Sequence, residues 1–533
     1  MALSVKKNIL PFTGTANLPL LTQAYLNRDA EIEELYRYRP ELKSITKAIK
    51  DRSFPTSKRI LLTETFKKQY AGLETHPSVK LHIEKLLLNN TFTITTAHQP
   101  CLCCGPLYVV YKILSAIKTA QYLNEHLPTY NFIPVYFIGG EDHDFEEINH
   151  VNLFREKWTW NTESGNACGR INTDSLSGLI TQLSGRLGDE VNASKLKEML
   201  SQSYLKNRTL AESTRVFINQ LFGKYGLLIL DGDDKSLKKV FAPVALEELE
   251  NRPTVKLVNA MIGKFKHQFK LQVKPRTINL FYLTDIKRCR IELQNNEYKL
   301  TGSDQIFNKS QIKEMLDKHP ENFSPNVILR TLYQEMILPN LAYIGGPSEI
   351  AYWLQFKSVF DHFHLDYPVL LLRNSIQWID KRSSERLTQM HVNADNILSS
   401  VEEWIALFIK NQNPGEVSLN NEKEELQKTM QKIIFKAKTA DHSLEQSGKA
   451  LQKKVMNQVD VFGNKIKKSL KNKHKTKIES IRALNKKLFP DGKLQERTDN
   501  FIPFYLKYGD LFFDTILDNM EPLGGKLIFL TEK

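Results

Sequence analysis

The chain has 533 residues, of which 41% are hydrophobic, 25% are charged and five are Cys. This composition excludes a disordered chain, and the length suggests three or four domains or large insertions. The formal charge of +14 would be typical of a nucleic-acid-binding protein, but residues 421–490 hold 18 Lys and Arg against 7 Asp and Glu. Because +11 of the charge lies in that segment, the rest is nearly neutral, which argues against a general basic surface.

The compartment is predicted from what the sequence lacks. The N-terminal residues include no apolar stretch of signal-peptide length, and no run of about 18 apolar residues predicts a membrane span. An odd number of Cys in so long a chain does not indicate a disulfide framework. We therefore expect a reduced, cytoplasmic protein with no membrane partner.

The first clear elements form a β-strand, helix, β-strand unit. Residues 91–97 are rich in β-branched side chains and predict a strand, which is followed by a loop over 98–106. Residues 107–127 have apolar side chains at helical spacing, and 132–139 form an apolar run typical of a buried parallel strand.

The same pattern recurs at 226–234, 341–356 and 366–375. Five strand candidates with helical connections indicate a doubly wound α/β sheet, in which ligands bind beyond the carboxyl ends of the strands. Two more polar stretches, 161–215 and 241–325, interrupt the pattern and are interpreted as insertions.

The lysine-rich segment predicts a helical hairpin. Apolar residues from 426 to 440 follow helical spacing, and Ser443 with Gln446 predicts a capping box that starts a second helix. This helix is expected to run for roughly 45 residues, about 70 Å, until the sequence Phe-Pro-Asp-Gly at 489–492. Its narrow apolar seam favours a coiled coil. Because the first helix is shorter, part of the seam stays uncovered, and the simplest partner to cover it is a second copy of the chain.

The most informative motif is the acidic turn that follows the second strand. Glu141, Asp142, His143 and Asp144 stand at the rim where α/β sheets bind ligands. A His beside carboxylates is a plausible general base, and carboxylate oxygens could also hold Mg²⁺. The alternative interpretation is a solvated acidic turn that caps the next helix.

The loop after the first strand occupies the equivalent place. His98 and Gln99 are expected at the same rim, and Gly105 with Pro106 leads into a helix N-terminus, which favours anions. Lys112, on the first turns of that helix, could reach a phosphate or carboxylate, although a lysine there is more often a solvated surface residue.

A third turn adds to this set. Gly345 and Gly346 allow close backbone approach, and Ser348 and Glu349 open the following helix. Arg373 leaves a buried strand at the same rim and could clamp a carboxylate. Three converging loops are a stronger indication of a ligand site than any one of them.

Several common motifs are absent. The chain contains no Walker-type phosphate loop, no dinucleotide fingerprint, no zinc-protease helix and no nucleophile elbow. Cys101, Cys103 and Cys104 lack the paired spacing of zinc sites, so we expect small buried thiols and no structural zinc.

These motifs resemble a known bacterial family, the BshC family of bacillithiol biosynthesis. The resemblance extends over essentially the whole chain. The stretches that carry it are HQPCLCCGPLYVVYK (98–112), IPVYFIGGEDHDFEEIN (133–149), LPNLAYIGGPSEIAYWLQ (338–355), YPVLLLRNS (367–375) and LFPDGKLQERTDNFIPFYLKYG (488–509).

The resemblance implies a Rossmann-like core with two connecting-peptide insertions and a long antiparallel helical coiled coil that mediates dimerisation. The expected division is an N-terminal helical segment at 1–90, a core at 91–160, 216–240 and 326–385, insertions at 161–215 and 241–325, a coiled-coil region at 386–490 and a C-terminal segment at 491–533. In the first loop the family usually reads Thr-Gly-Gln-Gln without cysteines, so His98, Cys103 and Cys104 depart from its pattern, whereas Gln99, Gly105, Pro106 and Lys112 keep it.

The resemblance also implies a cysteine ligase that joins L-cysteine to the amino group of glucosaminyl-malate, with an ATP or ADP pocket near the base of the coiled coil. Activation through an adenylate and through an acyl phosphate both remain open. His143 or Asp144 would deprotonate the attacking ammonium, and Glu141 and Asp142 would orient it or bind the amino groups of the substrates. Lys112 and the helix N-termini after 106 and 346 would hold negative charge from malate or phosphate. Arg497 is a candidate for the nucleotide pocket.

Other classes of protein remain open at this point. One is a different adenylate-forming or nucleotidyl-transfer enzyme on the same core, and another is a nucleic-acid-binding protein that uses the lysine-rich coiled coil. The segment has few interleaved aromatic residues, which does not favour nucleic acid as a partner. A purely structural dimer would leave the three rim loops unexplained.

Overall fold

The structure, a computed structural model, describes residues 3–10, 12, 18–206, 208–265, 268–412 and 419–533. Fifteen strands occur in these residues. In chain order they are β1 Val5–Leu10, β2 Thr91–His98, β3 Asn131–Ile138, β4 His150–Leu153, β5 Glu156–Thr159, β6 Leu228–Asp231, β7 Leu280–Leu283, β8 Arg288–Gln294, β9 Glu297–Leu300, β10 Ile306–Phe307, β11 Phe323–Pro325, β12 Asn340–Gly345, β13 Val369–Leu372, β14 Ser375–Ile379 and β15 Leu527–Glu532.

The same residues form twenty-two α-helices. In chain order they are α1 Leu20–Asn27, α2 Leu42–Asp51, α3 Thr56–Gln69, α4 Pro77–Lys85, α5 Leu107–His126, α6 Phe145–Ile148, α7 Ser177–Arg186, α8 Val191–Tyr204, α9 Leu210–Phe222, α10 Lys235–Asn251, α11 Pro253–Gly263, α12 Lys309–Lys318, α13 Val327–Ile337, α14 Pro347–Trp353, α15 Lys357–His362, α16 Lys381–Gln389, α17 Val401–Gln412, α18 Asn420–Ala440, α19 Leu444–Lys473, α20 Lys475–Leu488, α21 Ile502–Tyr508 and α22 Leu511–Asn519.

The five strands predicted from sequence form one parallel sheet in the order β13-β12-β2-β3-β6. Counted in chain order and read from β6, this is the order 3-2-1-4-5 of a doubly wound fold. The connections change direction between β2 and β12, so a ligand crevice is expected there, beyond the carboxyl ends of these strands. The predicted Rossmann-like fold is confirmed.

Apolar side chains on one face of this sheet pack against α5 and α2. Ile94, Phe132, Ile344 and Leu371 from four of the strands belong to one buried cluster that also includes Leu123 of α5. Successive side chains of a strand point to opposite faces, so the alternate apolar residues of each strand meet on this face. This packing fixes the strand ends whose loops build the rim.

The second insertion contributes an antiparallel sheet in the order β10-β9-β8-β7-β11. β4 and β5 form a separate hairpin, and β1, β15 and β14 form a three-stranded sheet. In the described part of the chain, no helix is long and apolar enough to span a membrane.

The chain divides into two compact units, 1–377 with 495–530 and 378–494 with 531–533. The second unit is helical and contains the predicted hairpin, in which α18 packs against α19. Lys423 of α18 pairs with Asp460 of α19 at 2.6 Å. The expected coiled coil is therefore present as a helical hairpin.

The long helix predicted after 443 is not continuous. It is interrupted at His474, so that α19 has 30 residues and α20 has 14. The two helices have different packing partners, because α19 lies along α18 whereas α20 packs against α17. The His474 ring meets Phe408 of α17 edge-on, with ring centroids 5.7 Å apart, which ties the break to α17.

The predicted capping box at Ser443 is wrong. Ser443 has helical backbone angles and makes no side-chain cap; instead its backbone N–H donates to Asp441 Oδ1 at 2.7 Å. The aspartate offers an acceptor two residues before the serine, and the serine hydroxyl makes no cap. The helix nevertheless starts where it was predicted.

Candidate active site

A cavity of about 520 Å³ lies at the carboxyl ends of β2, β3 and β12 in the first unit. Rim residues contribute Gln99, the acidic turn and Glu349, and the second insertion and α13 contribute the opposite wall. The charged and polar side chains among its lining are His98, Gln99, Glu141, Asp142, His143, Gln272, Lys274, Arg276, Arg288, Asn326, Arg330, Glu349 and Tyr352.

Glu141, the first residue of the acidic turn, is buried against a lysine that the sequence interpretation missed. Lys238 of α10, which is fully buried, forms an ion pair with the Glu141 carboxylate and also donates to the carbonyl of Phe323 at 2.9 Å. Because this lysine neutralises it, Glu141 has lost most of its capacity to bind the ammonium of a ligand.

Asp142 organises the turn. Its Oδ2 accepts from Gln99 Nε2 at 2.9 Å, and its Oδ1 accepts from the backbone N–H of His143 at 2.7 Å. Burial raises the pKa of Asp142, but hydrogen bonding with the side chain and backbone of His143, the nearby charge of Arg288 and the hydrogen bond from Gln99 outweigh burial and hold the pKa well below its usual value. Asp142 is therefore a carboxylate throughout the physiological range.

His143 has a partially exposed ring that faces the cavity and meets a cation from the second insertion. Arg288 Nη1 lies 3.2 Å from His143 Nδ1, and the guanidinium stacks on Phe281 at 3.9 Å from the ring centre. Asp142 Oδ1 lies 3.5 Å from the same His143 nitrogen. His143 is thus placed between a carboxylate and a guanidinium.

Arg330 of α13 is the second cation of the opposite wall. Its Nη2 donates to Tyr352 Oη and its Nη1 to Gln334 Oε1, both at 3.3 Å. Among the described residues, no carboxylate lies within 4.0 Å of its guanidinium. A half-buried arginine with neutral partners is available to bind the carboxylate of a ligand.

Lys112 does not have the role expected for it. It is buried, with its Nζ 2.7 Å from Glu349 Oε2, and it also donates to the carbonyl of Ala97. Glu349 accepts from Tyr343 Oη and from the Gly346 N–H, both at 2.7 Å. Burial raises the pKa of Glu349, but Lys112 and these hydrogen bonds lower it to about 2. The ammonium is already neutralised and is not free to hold a ligand anion.

Arg373 is likewise committed to the protein. Its guanidinium makes two 2.7 Å hydrogen bonds to the Glu496 carboxylate, and both side chains are almost fully buried. It therefore cannot act as the expected carboxylate clamp. The neighbouring Arg497 lies over the Tyr108 ring, 5.5 Å from its centre, and no carboxylate of the described chain lies within 4.0 Å of it.

The two helix N-termini expected to attract an anion are occupied. The Leu107 N–H at the start of α5 donates to the carbonyl of Asp499 at 2.8 Å, and the Gly346 N–H before α14 donates to Glu349. Gly105 has φ of +58° and its carbonyl accepts from Asn500, so it shapes the loop. These groups serve the fold.

The remaining expected residues lie beside the cavity. Within the described residues, Asp144, Gly105, Lys112, Gly345, Gly346, Ser348, Arg373 and Arg497 are outside its lining. Asp144 is exposed in the acidic turn, and Ser348 is exposed on α14. A Cβ on Gly346 would stand 3.2 Å from Glu349 Oε2, so this glycine makes room for the carboxylate that pairs with Lys112.

His98 packs against Tyr108, with 3.0 Å between its Nε2 and the tyrosine hydroxyl. Burial, together with the charge of Lys112, lowers the pKa of His98 to about 3, so the ring is neutral near pH 7. His98 lines the cavity as a neutral group.

The acidic turn does not fit the oxygen-ligand site that Mg²⁺ would need. Glu141 forms an ion pair with Lys238, and Asp142 accepts hydrogen bonds from Gln99 and from the backbone N–H of His143. Within the described residues, no group of three or more His, Cys, Asp or Glu could hold a metal ion. Cys101 and Cys103 are buried free thiols, and burial raises the pKa of each to about 12.

The sequence interpretation missed Arg288, Arg330 and Lys238. Arg288 lies in a β-hairpin of the second insertion, and the other two lie on helices with no motif around them. No signal in the sequence distinguishes these residues from surface cations, because their positions depend on how the insertion folds over the rim.

Fold and site together define a Rossmann-like α/β protein with a polar cavity at the rim of its sheet. Residues 7–374 match the family described as bacillithiol biosynthesis BshC, N-terminal Rossmann-like domain, and residues 376–532 match its C-terminal coiled-coil domain. The chain belongs to the BshC family of bacillithiol biosynthesis.

Curated relatives agree with this assignment. A Flavobacterium johnsoniae protein described as "Putative cysteine ligase BshC" is 39% identical over 94% of this chain and 95% of its own length. Proteins with the same description from Christiangramia forsetii and Cytophaga hutchinsonii are each 35% identical, over 98% and 93% of this chain and 99% and 94% of their own lengths.

Proposed function

We propose that this chain is a cysteine ligase that joins L-cysteine through an amide bond to the amino group of glucosaminyl-malate. The observation that carries the proposal is the division of charge in the rim cavity. The acidic turn contributes Asp142 and His143, whereas the second insertion and α13 contribute Arg288 and Arg330, and Arg288 reaches the acidic turn, 3.6 Å from Asp142. A substrate with an ammonium at one end and carboxylates at the other complements both walls.

The dicarboxylate end is assigned to the arginines. Arg330 has only neutral hydrogen-bond partners among the described residues, and the planar guanidinium can bind a carboxylate through two parallel bonds. Arg288 presents a second guanidinium in the same cavity. This assignment replaces Lys112 and Arg373, which are neutralised by Glu349 and Glu496.

The ammonium end is assigned to the acidic turn. Asp142 attracts the ammonium, and His143 or the adjacent Asp144 accepts one of its protons. The neutral amine then attacks the activated carboxyl carbon of cysteine, a C–N bond forms, and the leaving group departs with the electrons of the broken C–O bond. General bases of this kind typically contribute 10²- to 10⁴-fold to a rate.

Activation of the carboxyl group is assigned to a nucleotide. ATP would supply the leaving group, and Arg497 would meet its phosphates because its guanidinium lies on Tyr108 without a carboxylate partner in the described chain. Cysteine, glucosaminyl-malate and nucleotide are all small metabolites, and the cytoplasm remains the predicted compartment.

A homodimer through the helical hairpin is also proposed. α19 has no buried residue, and Leu451 and Phe462 on its apolar seam are 50% and 60% exposed. A second copy would cover this seam. Phe462→Lys is expected to shift the chain from dimer to monomer in sedimentation velocity, whereas Phe435→Lys on α18 is the control; a monomeric wild type contradicts the proposal.

The proposal is tested by mass spectrometry of a reaction with L-cysteine, glucosaminyl-malate and ATP. The expected product carries one cysteinyl residue linked as an amide, and omission of any substrate abolishes it. Parallel reactions with other amino acids distinguish a cysteine ligase from a different adenylate-forming enzyme. Product formation that does not require glucosaminyl-malate contradicts the proposal.

A further inference from the structure

His143 Nδ1 has two competing neighbours. Arg288 Nη1 lies 3.2 Å away and Asp142 Oδ1 lies 3.5 Å away. The two competitors are themselves 3.6 Å apart, so the three atoms form a nearly equilateral triangle. The position of one proton decides which pair is hydrogen-bonded.

The shortest side of the triangle determines the tautomer. A guanidinium can only donate, so His143 Nδ1 must accept the hydrogen bond from Arg288, and the ring proton must be on Nε2. In this state Nε2 has no lone pair for the substrate ammonium. The geometry therefore holds His143 as a hydrogen-bond donor and not as a base.

The other arrangement makes His143 basic. If Arg288 turns its Nη1 to another acceptor, Nδ1 can carry the proton and donate it to Asp142 Oδ1. Nε2 then has a free lone pair, and Asp142 stabilises the imidazolium that forms when Nε2 takes a proton. The exchange moves one proton from Nε2 to solvent and one from solvent to Nδ1, so the ring charge is unchanged.

We propose that Arg288 is a positioning residue that keeps His143 in the non-basic tautomer until a substrate carboxylate draws its Nη1 away. This inference rests on the proposed function, because it assigns the base to His143 and the carboxylates to the arginine wall. As a result, His143 becomes a general base only when the amine substrate is bound.

Arg288 is suited to this exchange. Its Nε donates to Ser324 Oγ at 3.1 Å and its Nη2 to the carbonyl of Pro325 at 2.8 Å, which anchors the guanidinium on β11. Only the Nη1 side faces His143, and the side chain lines the cavity that a ligand would enter. A small rotation of Nη1 is therefore enough to change its acceptor.

The other ionisable groups near the turn do not replace Arg288 as a donor to Nδ1. They are Asp144 and Glu147 on the turn and α6, the Glu141–Lys238 pair, and the protonated Cys168 of the loop bonded to the turn. Among described residues, Arg288 alone donates to this nitrogen.

The arrangement would protect the activated cysteine. A base that existed before the amine arrived could deprotonate water and hydrolyse the activated carboxyl group. Coupling the base to the substrate carboxylate reduces that loss, because Arg288 keeps Nε2 protonated in the empty site.

The test reads the tautomer directly by long-range ¹H–¹⁵N correlation spectra of the full chain labelled with ¹⁵N-histidine, with His143→Gln to assign the signals. Without ligand near pH 8, the expected pattern has a proton on Nε2 and none on Nδ1. L-Malate, the probe for the dicarboxylate end, should reverse it. Arg288→Met should show the reversed pattern without malate, whereas Arg290→Met, on the same strand and exposed, should resemble wild type.

A ligand-free wild type with its proton on Nδ1 overturns the inference and requires no variant. Malate that fails to bind, or that binds without reversing the pattern, also overturns it. Because these spectra need no turnover, a tautomer that responds as expected in a chain without ligase activity would contradict the proposed function and not the switch. In an active enzyme, Arg288→Met should also increase ATP consumption per product formed and change the pH profile of turnover.

Discussion

The cations of the rim cavity and those of the helical hairpin carry the same charge in opposite physical settings. In the cavity region, Lys112 and Arg288 have side chains that are 2% and 7% exposed, and each is held by specific partners. Hairpin lysines such as Lys453 are exposed to water. Residues 421–490 supply +11 of the net charge, but water screens exposed lysines. A buried cation with fixed partners therefore contributes more to stability and ligand binding than many exposed ones.

The largest effect on product formation is expected from His143 in the acidic turn. His143→Ala should reduce product formation by about 10²- to 10⁴-fold, because the proton acceptor for the ammonium is lost. Initial rates measured by mass spectrometry check this, with the exposed His126→Ala as control. Near-wild-type turnover with unchanged folding would remove His143 from the mechanism.

Replacing the buried Lys112 should lower stability far more than replacing an exposed lysine of the hairpin. Lys112→Met should lower the free energy of unfolding by about 3–5 kcal/mol, because the Glu349 carboxylate is left buried without its partner. Urea denaturation measures the change. The double variant Lys112→Met, Glu349→Gln should recover part of it, and if the single variant is as stable as wild type, the pair is not the buried ion pair described.

Arg330 should affect binding more than the fold. Arg330→Met is expected to raise KM for glucosaminyl-malate about 10- to 100-fold, the cost of losing a charged hydrogen bond of about 1.5–3 kcal/mol. Steady-state kinetics of wild type, Arg330→Met and Arg290→Met give the comparison. An unchanged KM would mean that the dicarboxylate binds elsewhere.

His98 should make the fold sensitive to mild acid. The unfolded chain takes up a proton near the ordinary His pKa of 6.5, whereas the folded chain does not until about pH 3. Stability is therefore lost as pH falls below about 6.5, and for this partly exposed residue we expect about 1–2 kcal/mol between pH 7 and pH 5.

The matched variant is His98→Gln, which keeps a polar side chain but cannot take up a proton in this pH range. It should flatten the loss of unfolding free energy over that pH range, as measured by urea denaturation at each pH. Equal slopes for the two proteins would show that His98 is protonated in the folded state.

The smallest effect is expected on the hairpin. Lys453→Gln should change the free energy of unfolding by less than about 0.5 kcal/mol and leave turnover unchanged, because the lysine is exposed and makes no ion pair within the described chain. A thermal melt and the rate assay check this. A large loss of activity would show that the charge of the hairpin takes part in function.

The parallel sheet and the acidic turn could be predicted because they depend on local patterns. Buried strands are apolar runs, and the residues directly after a strand end must lie at the rim. The roles of Lys112 and Arg373 could not be predicted, since their partners Glu349 and Glu496 are more than 100 residues away in the chain. Arg288 and Arg330 enter the site only because the insertion and α13 fold over the rim.

The most direct test of the account is metabolite analysis of a strain that lacks this chain and is complemented with wild type or His143→Ala. We expect that the deletion strain accumulates glucosaminyl-malate and lacks bacillithiol, that wild type restores the thiol and that His143→Ala does not. Unchanged bacillithiol in the deletion strain would contradict the proposed ligase function.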